Sequence, residues 1–300
     1  MSAAGAAFPP PRSLVIWRGS QFCIKAMGAL ALKGLWHGTD YTLVSVPTSY
    51  SDRQKILPPP HTVPVLLWDG QVVNGTEQIC AFLDMLIPQP ALYPQGAHDG
   101  IVSIEKRCGE LYWVNGWLST IDPAGLERYA GEFIRSEARK KSLLATCLLA
   151  VAPKGGTALI GKTFLVGGMK ELLERRGGAV GVRLARTKPK DAPAVFQEAH
   201  AELRQLEGLL AASPTLWFCG SASPTAADLT LYAMLERWIG DSWMPGRHGG
   251  AQPRIIDGLP KMRAAFDELR RRFLPLPECN LETLPETYRD ITAPLASSMR

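Results

Sequence analysis

The stretch TVPVLLWDGQVVNGTEQICAFL, residues 62–83, constrains the fold more than any other in the chain. Asp69-Gly70 separates two short apolar runs, VPVLLW and QVVN, and an Asp-Gly pair in that setting predicts a β-hairpin. The run TEQICAFLDML follows at once. Thr76 is its N-cap candidate, and Ile79, Leu83 and Leu86 lie along one helical stripe.

Upstream, SLVIWR (13–18) reads as a β-branched and aromatic strand closed by Gly19. Residues 21–36 follow as a helix, with Phe22, Met27, Leu30 and Leu35 on one buried face and Gly34 and Gly38 ending it. YTLVSVP (41–47) is a second strand stopped by Pro47, and a polar stretch with SDRQKI and PPPH leads to the hairpin. The order is β-α-β-α-β-β-α in under ninety residues, the helix between the second strand and the hairpin being the weakest element, and IPQPALYPQG then forms a linker. Beyond the linker no strand run occurs, and segments 99–121, 126–151, 193–212, 225–240 and 259–273 read as helices. The fold class is therefore α+β in two domains, a compact α/β domain followed by an all-helical one. The boundaries are a disordered arm at 1–12, the first domain at 13–88, the linker at 89–98 and the helical domain at 99–300. The helical domain carries an insertion at about 153–193 and a tail at 274–300.

Bulk properties agree. A chain of 300 residues with 46% apolar and 20% charged side chains suits about two globular domains. The longest apolar stretch, residues 143–152, is far shorter than the roughly 20 residues a membrane helix needs. The N-terminal MSAAGAAFPPPRS lacks the basic and apolar regions of a secretory signal. The six cysteines are scattered with no CxxC, and the five histidines make no HxxxH or HxH. That pattern argues against a disulfide framework or a zinc site and fits reduced thiols in the cytoplasm. The net charge of +5 is local: residues 161–190 hold eight Lys or Arg against two Glu, +6, which leaves −1 for the rest. Such a stretch reads first as a solvated loop or helix face and second as a surface for an anionic partner.

Two motifs inside this frame bear on function. GTALIGKT, residues 156–163, matches the phosphate-loop pattern GxxxxGKT letter for letter. It lacks the strand that should precede it, since SLLATCLLAVAPKG reads as a helix, so nucleotide binding is a minor alternative. The other is RGSQFCIK, where a strand gives way to a helix with Ser20 at the junction and Cys23 one turn inside.

With its order of elements, the chain resembles the cytosolic glutathione transferase family. The residues that carry the resemblance are the hairpin and helix at 62–83, the capping-box helix SPTAADLTLYAMLERW, and RGSQFCIK where that family places its catalytic residue. The resemblance runs from about Ser13 to Arg272. It implies a thioredoxin-like first domain with a cis Val63-Pro64 bond, which an X-Pro bond tolerates. The backbone of Val63 would then pair with the cysteinyl part of glutathione as an added strand does. Thr76, at a helix N-terminus, would receive the γ-glutamyl carboxylate. In the capping box, Thr225 would cap the Asp228 amide and Asp228 would reach back to Thr225. The family carries Glu or Gln where this chain has Gly75, so the group that would hold the ligand's amino nitrogen is missing, and Glu77 is a substitute.

Ser20 and Cys23 offer different chemistry. A helix N-terminus stabilises an anion by roughly 0.3–2 kcal/mol, and a hydrogen bond to a charged group adds about 1.5–3 kcal/mol. Together they depress a thiol pKa by about 1.5–3 units, enough to keep a bound thiol ionised near neutrality. Ser20 stands where the family's reactive residue stands, and Cys23 matches an inward-facing position. Ser20 is therefore read as the activator of glutathione, with Cys23 a core residue and a possible second thiol; a plain N-cap explains Ser20 equally well. The hydrophobic electrophile would meet Trp17, Tyr112, Trp113 and Trp117, and aromatics at i, i+1 and i+5 on one helix cannot all face one way. The expected activity is that of a glutathione-dependent transferase, lyase or dehalogenase, with glutathione as co-substrate and no metal. Its partners would be the electrophile and, by resemblance, a second copy of the chain, with no nucleic acid and no membrane span. The alternative is a non-catalytic interaction module of the same fold.

Overall fold

The computed structural model describes residues 11–17, 20–46, 57, 59, 61–121, 170, 173, 174, 177–239, 256 and 258–273. The helix expected at 126–151, the GTALIGKT motif and the tail at 274–300 lie outside them, as does most of the N-terminal arm.

Four strands, β1 (Arg12–Ile16), β2 (Thr42–Ser45), β3 (Val65–Trp68) and β4 (Gln71–Asn74), form one sheet in the order β2-β1-β3-β4. β1 runs parallel to β2, while β3 is antiparallel to both β1 and β4. Asp69 and Gly70 take φ of 48° and 88°, the two positive angles that a twist-matched hairpin turn needs. One face of the sheet buries Val15, Val44, Val46, Leu57, Val65 and Leu67, with Trp17, Val63 and Val72 packed against them. Helices α1 (Gln21–Leu32) and α2 (Thr76–Leu86) complete the thioredoxin-like domain, and the helices pack on each other. The described chain beyond α2 is helical: α3 (His98–Ile121), α4 (Gly178–Arg186), α5 (Ala192–Ala212), α6 (Ala226–Ile239) and α7 (Pro260–Phe273).

Two expectations for α1 change. The helix stops at Leu32, short of Trp36, because Gly34 takes a φ of 74° and Lys33 closes the last turn onto Ala29 and Leu30. It is also buried nearly all round, from Cys23 to Ala31, where the pattern predicted one buried face. Small residues make this possible. A Cβ added to Gly28 would stand 3.0 Å from Leu229 of α6 and 3.2 Å from Phe273 of α7, so α1 is packed on the side away from the sheet as well. Gly28→Val is expected to cost about 1–3 kcal/mol by overpacking that contact, read as a lower midpoint in urea unfolding; an unchanged midpoint would mean the contact relaxes freely.

The capping box at the start of α6 differs in one bond. Asp228 reaches back to Thr225 as expected, accepting from its amide and from its hydroxyl, both at 2.8 Å. The Thr225 hydroxyl thus donates to the carboxylate instead of accepting from the Asp228 amide. Asp228 also accepts from the Phe218 amide at 3.0 Å, so it ties the preceding turn (Phe218–Gly220) to the helix. A buried carboxylate needs donors more than a helix amide needs that one hydroxyl.

The described residues fall into two compact units. One takes those within Met1–Val102, Ser213–Arg237 and Arg263–Arg300, and the other those within Ser103–Ala212 and Trp238–Met262. In the second, Arg107 of α3 pairs with Glu202 of α5 and bonds Gln205 at 3.0 Å. Glu207 accepts from the amides of Lys261 and Met262 at 2.8 and 2.7 Å, satisfying first-turn donors of α7 from a distant helix. Helix α4 lies within the basic insertion. It forms where Gly177 and Gly181 let the backbone approach Leu173, which a Cβ at either glycine would obstruct. No helix among the described residues is long and apolar enough to cross a membrane.

Candidate active site

The register puts four chain passages at one end of the sheet. Ile16 pairs with Ser45, Val15 with Val65, and Val65 with Asn74, so β1, β2 and β4 end where β3 begins. Ser20, the pair Val63 and Pro64, and Thr76 all follow or precede those strand ends, which gathers them at that end. Distance in sequence hides this grouping; the strand order creates it.

Ser20 is the N-cap of α1, with φ −83° and ψ 117°. Its carbonyl accepts from the amides of Cys23 and Ile24 at 3.0 and 3.2 Å, and its own amide donates to Trp17 at 3.0 Å. Its hydroxyl makes no capping hydrogen bond, although the residue is only 4% exposed. The ordinary use of an N-cap serine is therefore not in force here. Cys23 lies one turn further on and is fully buried. The exposed thiol of Cys219 is pushed up by burial and then by the charge of Asp228, which disfavours the nucleophilic form.

The Val63-Pro64 bond is cis. Val63 lies just outside the ladder, whose first pairs are Val15 with Val65 and Val65 with Asn74. Pro64 is buried and its carbonyl accepts from the Gly75 amide at 3.1 Å. The N-cap of α2 is Gly75 and not Thr76: the Gly75 carbonyl accepts the first helical bond, from Ile79 at 3.0 Å. The reason is conformational. The chain leaves β4 with φ 96° at residue 75, a region glycine adopts readily, and Thr76 is already helical. Thr76 remains in the first turn, half-buried, with Glu77 exposed beside it. Among the aromatics, Trp17 is half-buried on the sheet, Tyr112 and Trp113 are half-buried with ring centroids 5.1 Å apart, and Trp117 is buried.

Two family models match the chain, "Glutathione S-transferase, N-terminal domain" over residues 19–86 and "Glutathione S-transferase, C-terminal domain" over residues 182–274. The chain belongs to the glutathione transferase family. Several solved structures are similar to the chain at low identity. The beta-etherase LigF of Sphingobium sp. strain SYK-6 is 18% identical, with 89% of this chain and 100% of that one covered and a TM-score of 0.48. Rice GST1, solved in complex with glutathione, is 17% identical over 97% and 100% at 0.47. A bacterial maleyl pyruvate isomerase of the zeta class is 18% identical over 95% and 97% at 0.47. No curated protein sequence matches the chain.

Seen as a glutathione transferase, the site also contains polar groups that periodicity and motif did not single out. Gln21, Ser45 and Asn74 each have a buried oxygen without a hydrogen-bond partner among the described residues, and all three sit at the same sheet end. Gln21 directly follows Ser20, Ser45 closes β2 and Asn74 closes β4. Only the register relates them. Among the described residues no group of three or more His, Cys, Asp or Glu is arranged to hold a metal ion.

Proposed function

We propose that this glutathione transferase binds glutathione at the end of its thioredoxin-like sheet and ionises the thiol for attack on a small hydrophobic electrophile. The reading is carried by Ser20, a buried N-cap serine whose hydroxyl makes no capping bond. That hydroxyl is available to donate to a thiolate, and the first amides of α1 add the positive end of a helix. Val63 beside its cis bond presents backbone for the cysteinyl residue, and the first turn of α2 with Thr76 receives the γ-glutamyl carboxylate. The proton leaves on ionisation, the sulfur forms a bond to the electrophilic carbon, and a leaving group departs where the reaction is a substitution.

The test is a titration of bound glutathione by thiolate absorbance, wild type against Ser20→Ala. The wild-type protein is expected to hold the thiol ionised near neutral pH. The variant should still bind but raise the bound thiol pKa by at least about one unit, the worth of one charge-assisted hydrogen bond. Thermal stability should barely change, since no capping bond is lost, whereas removing a working cap costs about 1 kcal/mol. A variant that ionises the thiol as well as wild type would remove Ser20 from the mechanism. The second reading, a non-catalytic member of the family, is favoured by Gly75, and absence of glutathione binding at millimolar concentration would establish it. Cytoplasmic location rests on the scattered cysteines, assembly as a homodimer is carried over from the resemblance, and sedimentation measures the latter.

A further inference from the structure

Three neighbouring cations of the basic insertion stand unpaired. α4 carries no acidic residue; it buries Gly181 and Leu184, and Arg183 and Arg186, three residues apart, share its opposite face. The chain runs on through exposed Lys188 and Lys190, so residues 177–197 hold four cations against one acidic residue, Asp191. Arg183 pairs with Glu198 of α5. Arg186, Lys188 and Lys190 are exposed and make no ion pair among the described residues. The carbonyl end of α4 favours cations, but that field fades within a turn and leaves the lysines unbalanced. The arginines of α7 are engaged by contrast: Arg271 and Arg272 both bond Glu268 at 2.8 Å, and Arg270 lies 4.0 Å from the buried Glu236.

The complementary charge lies in the same chain, beyond α7. Glu278, Glu282, Glu286 and Asp290 recur every four residues against a single cation, Arg289, which gives −3 over residues 278–290. We propose that the surface of Arg186, Lys188 and Lys190 is the docking site for this acidic segment of the same molecule. The 17 residues from 274 to 290 span up to about 55 Å when extended. A tethered segment meets its site at an effective concentration near millimolar, so ion pairs too weak to hold a free peptide suffice. The row suits carboxylates better than a nucleic acid, because no aromatic side chain between Gly177 and Val195 is there to stack on a base. Contact of this kind covers the cations against other anions and releases them as salt rises.

Two measurements on the full-length chain test this. Zero-length carbodiimide coupling joins a lysine amine to a carboxylate it touches, and peptide mass spectrometry on a mixture of light and isotopically heavy protein locates the links. Lys188 or Lys190 is expected to couple to Glu278, Glu282 or Glu286 within one chain at about 10 mM salt, with the yield falling at least about fivefold at 1 M. Cleavage of the segment by a glutamate-specific protease should run at least about fivefold faster in the triple variant Arg186→Gln, Lys188→Gln, Lys190→Gln, whose circular dichroism stays that of wild type. Arg271→Gln, on the helix from which the segment leaves, should be cleaved as wild type is. Absence of the links at low salt, or cleavage of the triple variant at the wild-type rate, would overturn the proposal. So would links joining light to heavy chains, which assign the segment to a second copy, or release by Arg271→Gln alone, which places it on α7.

Discussion

Lys33→Met is expected to destabilise the protein by about 3–5 kcal/mol, the usual loss when one partner of a buried ion pair is removed. The Lys33 side chain is 0% exposed, and its Nζ bonds Oδ1 of Asp84 at 2.7 Å and the carbonyls of Ile87 and Pro90, each at 2.6 Å. All three ammonium donors are used. Asp84 in turn accepts from the amides of Leu92 and Tyr93 at 2.8 and 2.9 Å. The cluster joins the end of α1 to the end of α2 and to the proline-containing linker. Methionine matches the unbranched stem and supplies no donor, so a carboxylate and two carbonyls lose their partner together. Urea unfolding followed by far-ultraviolet circular dichroism reads the loss. A change below about 1 kcal/mol would mean that water replaces the ammonium and that the cluster is not dry.

Asp228→Ala should cost about 2–5 kcal/mol, because it strands the amides of Phe218 and Thr225 and the Thr225 hydroxyl, each formerly bonded to one carboxylate. Asp228 carries a second, opposite signature in pH. Burial pushes its pKa up to about 6 against those three donors, where an ordinary Asp lies near 3.8. The folded state therefore holds the proton more tightly than the unfolded state. This contribution grows as pH falls through about 6, is complete below about 4, and is lost as pH rises through about 6. Melting temperatures between pH 7.5 and 5 should rise more for wild type than for Asp228→Asn, which cannot titrate. Equal slopes would show that the three donors hold the carboxylate ionised throughout.

These two residues show where a sequence stops being readable. Asp228 was legible, since a Thr three residues before an Asp at the head of an apolar run is a local signal. So were the Asp69-Gly70 hairpin and the helix after it, and the residue pattern resembling the family led to the cis Val63-Pro64 bond. Lys33 was not. A lysine at the C-terminal end of a helix ordinarily interacts with the last carbonyls of its own helix in solvent, and nothing within several residues of it marks the carboxylate 51 positions away. The full burial of α1 escaped for a similar reason, because Gly28 reads as a weak helix residue until Leu229 and Phe273 are known to lie against it. The basic insertion read as a loop or helix face, and α4 within it depends on the close approach of Gly177 and Gly181 to Leu173.

By itself, the sequence determined the four strands, the helices that follow β1 and β4, the hairpin turn, the junction at Ser20 and the family. Each of these rests on interactions within a few residues: a turn pair with positive φ, an apolar stripe, a side chain reaching its own helix end. Only the tertiary structure decided which polar groups are buried and what they bond to. It left the Ser20 hydroxyl out of capping, moved the α2 cap from Thr76 to Gly75, set Gln78 in the space beside that glycine and stranded Asn74 Oδ1. Burial depends on every element that packs over a residue, and the cost of an unmet hydrogen bond arises only once those elements have excluded water.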